Sequence, residues 1–591
     1  MTYGYDATLS EAGVTHVFAN WGNDHPAILE DLERQRSERG GKALLEVITC
    51  PNEMVALSAA QGYAQVTGNP AAVIVHVDVG TQALAGAVHN VDKGNTPVII
   101  FAGASPYTVS NELKGSKNEW PMWGQDAPDQ PAIVRQYMRY TGQIMSGKAV
   151  AKTVMRAWQF ATSAPRGPVY LWARREVLEE EVDESVMNAQ VNVAKWPPLA
   201  PSGLSPSAVR TIVEALSTAR FPMIIVANAG RNHRTVPLLQ ALSMLRSIGV
   251  FLSVPQYFSV PYSHPYLLGQ SYDGRNPYLE EADVVIVLDT EIPFMEANGS
   301  KLRPDARVFV IDFDPLKPQM GWSHIDAEFI CRADVYVALK QLVGAIHTAD
   351  ADSVDDSAFQ AKLKARGERL KALHDEWINK AIALESRTPL DDETPSVPHI
   401  LSTLREVVKA QTASRGDNVL WLNESPSNGH FVWNHIRPEK PGQMILAGGS
   451  SLGWALGAAT GATLGSRVAK KEYDLITAVV GDGTYLFGVP STAYWLARRY
   501  DAPFLTIILN NGGWASPRLS MLGMHPQGLA SKVSARQLTV GFGPEMPDYA
   551  GIATAAGGAW GRRIEQEAVR VVIQERRSAV VDFVIAEIGT A

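Results

Sequence analysis

The sequence has few of the features that mark secreted or nucleic-acid-binding proteins. Its 591 residues include only two cysteines, Cys50 and Cys331, which cannot build a disulfide framework and fit a reducing compartment. The formal net charge is -8 and like charges do not cluster, so we expect no nucleic acid as a partner. The first basic residue is Arg34. Because signal and transit peptides carry basic residues near their start, we expect a cytoplasmic protein.

Long apolar runs are also scarce. The one candidate membrane span is residues 444–465, MILAGGSSLGWALGAATGATLG, which has no charge and a glycine at every fourth position from Gly449 to Gly465. Serines, threonines and six glycines make it poorly lipophilic. A helix that begins near Leu452 would have about 14 residues, whereas a span needs about 20. We therefore predict no membrane span, but a buried helix that packs closely against another backbone.

What the sequence does contain is a repeated alternation of strand-like and helix-like segments. Apolar runs such as AAVIVHVDVG and TPVIIFAG alternate with helical segments near 26–36 and 81–92, an order typical of parallel α/β sheets. A Pro-rich connection near 196–206 and a charged stretch from 351 to 395 interrupt the alternation. We therefore predict an α/β protein with three doubly wound parallel-sheet domains, at 1–190, 200–350 and 396–591. A linker is predicted at 351–395.

Two polar segments follow consecutive apolar runs in the third predicted domain. The run 475–480 ends at Gly481-Asp482-Gly483, and the run 504–509 ends at Asn510-Asn511-Gly512-Gly513. Ligands of parallel sheets bind at the carboxyl ends of the strands, so both segments should meet at one edge. Asp482 offers a carboxylate and Asn511 an amide oxygen, while glycines let backbone groups approach a ligand. These donors suit a magnesium ion that shares its ligands with a diphosphate.

In the first predicted domain, an acid stands at the start of a small-residue helix. The segment PNEMVALSAAQGYAQVTG places Glu53 in the first turn, with Asn52 as the N-cap. Taken alone, Glu53 would only complement the helix dipole, which is worth a few tenths to about 1 kcal/mol. It is followed, however, by a glycine-broken segment, VDVGTQ, and by the apolar run TPVIIFAG.

Together, Glu53, the segment GSSLGWALGAATG, GDG and, after 26 residues (484–509), NN resemble the decarboxylase and acetolactate synthase superfamily of thiamine diphosphate-dependent enzymes. The resemblance extends over nearly the whole chain, in the order pyrimidine-binding, middle and diphosphate-binding domain. It implies thiamine diphosphate and Mg²⁺ as cofactors. Since Glu53 and Asp482 of one site come from different subunits in this family, it also implies a homodimer or a dimer of dimers.

The resemblance assigns cofactor-binding roles by position. At the diphosphate end, Asp482, the Asn511 side chain and the Gly513 carbonyl would bind the metal. The other cofactor-binding residues implied at that end are Gly483, Thr484 and Ser427. At the pyrimidine end, Glu53 would contact the ring nitrogen, Ser450 would offer its carbonyl to the aminopyrimidine, and Leu452 would support the bent cofactor.

Three residues are catalytic candidates: Glu53, His76 and Gln125. His76 lies in HVDVGTQ, which is similar to the stretch of benzoylformate decarboxylase in which a histidine handles protons near the substrate. The alternative is a structural histidine at a strand end. Gln125 lies in KNEWPMWGQDAPDQ, where acetolactate synthases have a glutamine in a substrate-side loop, and the alternative is ordinary surface chemistry.

The resemblance implies an enzyme that cleaves or forms a carbon–carbon bond next to a carbonyl. We expect decarboxylation of a 2-oxo acid or a related carbonyl substrate, followed by carboligation as in acetolactate synthases. The alternatives are a simple decarboxylase of the benzoylformate decarboxylase type and a non-catalytic regulatory relative. A nicotinamide-dependent dehydrogenase is disfavoured because no GxGxxG follows the first strand. The middle domain likewise lacks that fingerprint, so flavin adenine dinucleotide (FAD) stays open but is not predicted.

Overall fold

The protein is described by a computed structural model that covers residues 2–183, 191–318, 320, 325–352, 357–386, 395–561 and 572–585. Within these ranges the strands form three six-stranded sheets, with helices between the strands. The strand pairs are parallel, and half of the strands are buried along their whole length. Strands buried on both faces need no polar alternation. The predicted fold class, three parallel α/β domains, is confirmed.

The first sheet lies in the N-terminal part of the chain, in the strand order β2-β1-β3-β4-β6-β5. Its strands are β1 (His16–Ala19), β2 (Glu46–Thr49), β3 (Ala71–Val75), β4 (Val98–Ala104), β5 (Tyr140–Gln143) and β6 (Pro168–Arg174). The helices of this part are α1 (Thr2–Glu11), α2 (Pro26–Glu38), α3 (Glu53–Thr67), α4 (Val79–Ala83), α5 (Ala85–Lys93), α6 (Pro121–Gly124), α7 (Val150–Thr162) and α8 (Arg175–Leu178). The order makes the carboxyl ends of β2, β1, β3 and β4 neighbours.

The second sheet has the strand order β12-β11-β10-β7-β8-β9. Its strands are β7 (Pro222–Val226), β8 (Gly249–Ser253), β9 (Leu267–Ser271), β10 (Val284–Leu288), β11 (Arg307–Asp312) and β12 (Phe329–Arg332). The helices here are α9 (Pro206–Thr218), α10 (Thr235–Arg246), α11 (Val335–Asp352) and the 29-residue α12 (Ser357–Glu385). Most of the predicted linker is thus this long helix, and its buried His374 shares a hydrogen bond of 2.7 Å with the carbonyl of Leu267 in β9.

The third sheet consists of β13 to β18. Its strands are β13 (Val419–Glu424), β14 (Met444–Ile445), β15 (Leu475–Gly481), β16 (Leu505–Asn510), β17 (Trp560–Gly561) and β18 (Ala579–Val584). The helices are α13 (Val397–Gln411), α14 (Gly429–Ile436), α15 (Trp454–Val468), α16 (Asp482–Phe487), α17 (Pro490–Arg499), α18 (Ala515–Met524) and α19 (Tyr549–Gly557). By compactness the chain divides into two units, 1–200 with 447–583, and 201–446 with the residues from 584 onward.

Helix α15 is the buried helix predicted within residues 444–465, and it packs against α3. Because Gly457, Gly461 and Gly465 follow one another at four-residue spacing, they form one stripe. A Cβ at Gly461 would overlap the carbonyl of Ala59, and one at Gly457 would lie 2.9 Å from the Cβ of Ser58. The two backbones therefore touch, as predicted. In the described ranges, no helix is both long and apolar enough to cross a membrane.

Candidate active site

The predicted diphosphate end of the site lies where β15 and β16 end side by side. Gly481 pairs with Leu509 in the parallel register, which brings the two polar segments together. Asp482, in the polar segment after β15, is the first residue of α16. The backbone N–H groups of Gly483, Gly513 and Gly512 and its own N–H lie near its carboxylate and favour the charged form. Burial nevertheless raises the pKa of Asp482 to about 6, because the N–H groups only partly offset the loss of water.

Two buried oxygens at this place have no hydrogen-bond partner among the described residues. They are Oδ2 of Asp482 and Oδ1 of Asn511, whose residues are 2% and 8% exposed. An unpartnered buried oxygen costs free energy unless a ligand satisfies it. The Gly513 carbonyl accepts from Ala515 N–H at 3.0 Å and keeps a second lone pair. Three hard oxygen donors fit a magnesium ion. The described ranges hold no cluster of three or more His, Cys, Asp or Glu that could bind a metal.

Gly483 and Gly513 are glycines for a structural reason. A Cβ on Gly483 would overlap the indole ring of Trp514, so only glycine lets that ring lie on the first turn of α16. Gly513 has a φ of +144°, a conformation that side chains disfavour. Thr484, next to Gly483, is buried at 3% exposure.

The predicted pyrimidine end of the site begins at Glu53, the first residue of α3. Oδ1 of Asn52 caps the helix by accepting from Val55 N–H at 3.0 Å, as predicted for an N-cap. The Glu53 carboxylate is half-buried and accepts a hydrogen bond of 2.9 Å from Nδ2 of Asn20. Asn20 follows β1 directly, and β1 adjoins β2 and β3. The strand order thus brings Asn20 beside the acid.

His76 follows β3 and lies beside Glu53. A Cβ on Gly80 would be 3.1 Å from both Oε1 of Glu53 and Cβ of His76, so the two catalytic candidates flank one glycine. Nε2 of His76 is 3.1 Å from the amide nitrogen of Gln125. The three predicted catalytic residues are therefore brought together at the carboxyl edge of the first sheet.

Asp24 and His25 complete this cluster. The Asp24 carboxylate forms a short hydrogen bond with Nδ1 of His76 and lies 3.2 Å from Nε2 of His25. Burial lowers the pKa of His76, but the hydrogen bond and charge of Asp24 and the charge of Glu53 outweigh it and raise that pKa above its ordinary value. Burial lowers the pKa of His25, which is therefore neutral at pH 7.

Ser450 and Leu452 lie in the segment that leads into α15. The backbone of Ser451, between them, is held from both sides by Asn90 of α5. Asn90 Nδ2 donates to the Ser451 carbonyl at 2.8 Å, and Ser451 N–H donates to Asn90 Oδ1 at 3.1 Å. This anchoring leaves Ser450 exposed and Leu452 half-buried. A Cβ at Gly453 would lie 2.6 Å from Cε of Met54, so α3 and α15 begin at the same end.

Three protein-family models match this chain. They are described as the N-terminal TPP binding domain (residues 7–130), the central domain (residues 209–342) and the C-terminal TPP binding domain (residues 427–583) of thiamine pyrophosphate enzymes. Together they cover more than half of the chain. The protein belongs to the thiamine pyrophosphate enzyme family. The resemblance stated from the sequence is confirmed, and so is the presence of domains that bind thiamine diphosphate, the same compound as thiamine pyrophosphate.

Relatives of this thiamine pyrophosphate enzyme include both decarboxylases and synthases. The chain is 24% identical to benzoylformate decarboxylase of Pseudomonas aeruginosa over 86% of its own length and 85% of the relative. It is 22% identical to a probable acetolactate synthase large subunit of Methanocaldococcus jannaschii, over 90% and 83%. The solved thiamine diphosphate-dependent 4-hydroxybenzoylformate decarboxylase of Rhodococcus jostii has the same fold, with a TM-score of 0.71, 20% identity and full coverage of both chains.

Sequence reasoning missed part of this thiamine pyrophosphate enzyme's site. Asn20, Asp24 and His25 lie in NWGNDHP, directly after β1. The position of that segment at the carboxyl end of a strand was the available signal. Ser427, by contrast, was predicted for the diphosphate but belongs to the second compact unit, in the turn between β13 and α14. Its role stays a prediction.

Proposed function

We propose that this protein is a magnesium- and thiamine diphosphate-dependent enzyme that decarboxylates a 2-oxo acid. The observation that carries the proposal is the convergence of Glu53, His76 and Gln125 at one sheet edge. Family membership provides the cofactor-binding domains. A regulatory relative without activity would have no use for an acid, a hydrogen-bonded histidine and two unpartnered oxygens.

The metal would be held by three oxygens of this chain: the carboxylate of Asp482, the side-chain amide of Asn511 and the carbonyl of Gly513. The first two atoms are buried and unpartnered among the described residues, which supports the assignment. We assign the diphosphate to the same place, against Gly483 and Thr484, because a Mg²⁺ ion commonly shares its coordination with phosphate oxygens.

The pyrimidine of the cofactor would lie between Glu53 and the segment that carries Ser450 and Leu452. When bound, thiamine diphosphate supplies a nucleophilic carbon and accepts the electrons released by loss of carbon dioxide. Glu53 would hold or donate a proton at the pyrimidine ring nitrogen. Its carboxylate is kept in place by Asn20, so the acid has one defined orientation.

The net reaction converts the carboxylate form of a 2-oxo acid and a proton into an aldehyde and carbon dioxide. His76 is suited to deliver that proton, because its pKa is raised by Asp24 and Glu53 after the opposing effect of burial. The sequence favours carboligation, in which a second carbonyl takes the place of the proton. The raised pKa of His76 supports simple decarboxylation instead, as the first candidate. Carboligation is the second candidate function. It is supported by Gln125, which lies at hydrogen-bonding distance from His76, because acetolactate synthases carry a glutamine in the corresponding loop.

The experiment is to incubate the full-length protein with thiamine diphosphate, Mg²⁺ and a panel of 2-oxo acids, with and without aldehyde acceptors. Products are identified by mass spectrometry, with Asp482→Ala as the matched control. An aldehyde without added carbon supports simple decarboxylation, and a hydroxyketone supports carboligation. No release of carbon dioxide from any member of the panel would count against the proposal.

We further propose a homodimer whose sites combine Glu53 of one subunit with Asp482 of the other. Mixing and refolding the inactive variants Glu53→Gln and Asp482→Ala tests this. Half of the dimers would be mixed, and each would have one intact site, so about a quarter of the wild-type activity should return. No recovery would mean that each site is built from a single chain.

A further inference from the structure

Asp24 connects the loop after β1 to the end of β3, and its two carboxylate oxygens have different partners. Oδ1 forms the short hydrogen bond with Nδ1 of His76. Oδ2 accepts from the backbone N–H of Val77 at 3.1 Å and lies 3.2 Å from Nε2 of His25. Asp24 is only 2% exposed, so these contacts replace nearly all of its water.

Two glycines make room for this arrangement. A Cβ on Gly103, in β4, would overlap Oδ2 of Asp24, and one on Gly22 would overlap both the Asp24 carboxylate and the His76 ring. The carboxylate thus lies in a space that the backbone leaves free at both positions. The contact between Asp24 and His76 is therefore built into the fold and is not a chance approach of two surface side chains.

The hydrogen bonds fix which ring nitrogen of His76 carries a proton. Val77 N–H can only donate, so Oδ2 of Asp24 must accept. Although burial alone would raise the pKa of Asp24, its histidine neighbours and their hydrogen bonds lower it, so the carboxylate is ionised and accepts on both oxygens. Nδ1 of His76 must then be the donor. Nε2 is left to face Gln125.

Gln125 can pair with Nε2 in either protonation state of His76. Its amide nitrogen, 3.1 Å away, suits the neutral ring. Its Oε1 is buried and has no hydrogen-bond partner in the described part of the chain, so a half-turn of the amide would suit the protonated ring. The charged or titratable groups around the ring are Asp24 and His25 from the β1 loop and Glu53 from α3.

We propose that Asp24 is a positioning residue that fixes the Nδ1 proton of His76 and thereby presents Nε2 as the proton donor to the carbon from which carbon dioxide leaves. The inference rests on the proposed function. In the step, the N–H bond at Nε2 breaks and its electron pair stays on Nε2, while the electron pair left by the broken C–C bond to carbon dioxide forms the new C–H bond. His76 ends neutral with its Nδ1 proton in place, and Asp24 stays ionised throughout.

Asp24→Asn is the informative variant, because it keeps the shape and removes the charge. The Val77 N–H still requires an oxygen, so the new NH₂ group must face His76. Nδ1 then has to accept, and the proton of the neutral ring moves to Nε2. An amide in place of a carboxylate beside a catalytic histidine thus selects the wrong tautomer.

The primary readout is imidazole ¹⁵N NMR of the full-length protein with thiamine diphosphate and Mg²⁺ but no substrate, with the His76 signal assigned by His76→Gln. In the wild type, the neutral ring should carry its proton on Nδ1. In Asp24→Asn the proton should move to Nε2, and the apparent pKa of His76 should fall by about one unit or more. Asp78→Asn is the matched control, since the Asp78 side chain accepts from Gln82 at 3.0 Å and, within the described ranges, shares no hydrogen bond with His76. It should leave the tautomer unchanged.

The second readout is kinetic. Asp24→Asn should lower kcat by roughly 100-fold or more, change KM by less than about threefold, shift the alkaline limb of the pH–rate profile to lower pH, and leave thiamine diphosphate affinity unchanged. A tautomer change without loss of kcat would overturn the catalytic part of the inference. A neutral wild-type ring protonated on Nε2 would overturn all of it, even if the variant failed to fold. Because NMR needs no substrate, it decides the Asp24 contact even if no tested 2-oxo acid reacts.

Discussion

The stripe of glycines between α3 and α15 predicts a graded series of stability losses. At Gly461 an added Cβ would overlap the carbonyl of Ala59, and at Gly62 it would overlap the carbonyl of Ala458. Backbone atoms cannot rotate away as side chains do, so both Gly→Ala changes must push the helices apart. At Gly465 the nearest atom, the carbonyl oxygen of Tyr63, is 3.0 Å away, and a shift of a few tenths of an ångström relieves the contact.

Two opposing effects set the size of each change. Alanine stabilises a helix interior by about 0.5–1 kcal/mol relative to glycine, whereas overpacking a close interface costs about 1–3 kcal/mol or more. We expect Gly461→Ala and Gly62→Ala to lose at least about 2 kcal/mol net. Gly457→Ala, with Ser58 Cβ at 2.9 Å, should lose about 1 kcal/mol, and Gly465→Ala should be close to neutral.

Gly344→Ala is the matched control. Gly344 is an exposed glycine within α11, and a Cβ there would meet no atom within 4 Å. This variant isolates the higher helix propensity of alanine over glycine, and its helix should be stabilised by about 0.5–1 kcal/mol. Hydrogen–deuterium exchange of peptides from α3, α15 and α11 measures the local free energy of opening for each helix separately. If Gly461→Ala opened no more readily than Gly465→Ala, the close approach of the two helices would be refuted.

Three further predictions concern single carboxylates. Asp482→Ala should abolish measurable binding of thiamine diphosphate and Mg²⁺ in isothermal titration, because one of the few metal ligands is lost; wild-type affinity would contradict the metal assignment. Glu53→Gln keeps an oxygen for Asn20 and should lower turnover by roughly 100- to 10,000-fold with unchanged thermal stability; an unchanged rate would remove Glu53 from the reaction. Burial raises the pKa of Asp6 from 3.8 to about 7, so its carboxylate destabilises the fold increasingly from about pH 4 to pH 7. Asp6→Asn, which can still accept from Gln35, should therefore gain up to about 4 kcal/mol at pH 8 and little at pH 4; equal gains in thermal denaturation at both pH values would argue against this cause.

The sequence predicted where strands and helices lie better than it predicted which residues meet at the ends of the strands. Residues 475–480 and 504–509 were predicted as strands, and β15 and β16 differ from them by one or two residues at the ends. Helix α17 begins at Pro490, since proline is well suited to the first turn of a helix. Strong apolar runs bounded by glycine or proline carry that information locally. The predicted helix at 81–92, however, is two helices, α4 and α5, which are separated by a turn at Leu84. The prediction missed this break because no glycine or proline stands at that position.

The Asp24–His76 contact could not be predicted from local patterns. Asp24 and His76 are 52 residues apart, and they meet only because β1 and β3 are neighbours in the first sheet. Strand order follows from how the whole domain packs, and the apolar runs of the four central strands are too similar to specify it. The meeting of Asp482 with the Asn511 segment was predictable because two consecutive strands of a parallel sheet are often adjacent.

The proposed metal site depends more on the path of the main chain than on side chains. Peptide N–H groups favour the charged Asp482 carboxylate, and a peptide carbonyl is one of the proposed ligands, so only Asp482 and Asn511 would contribute functional side chains. Peptide groups persist through most substitutions. Such a centre can survive extensive sequence drift as long as both strands keep their ends in register and Gly483 and Gly513 stay glycine. Directed evolution of substrate range should therefore be able to alter the other surrounding positions while these four residues are held constant.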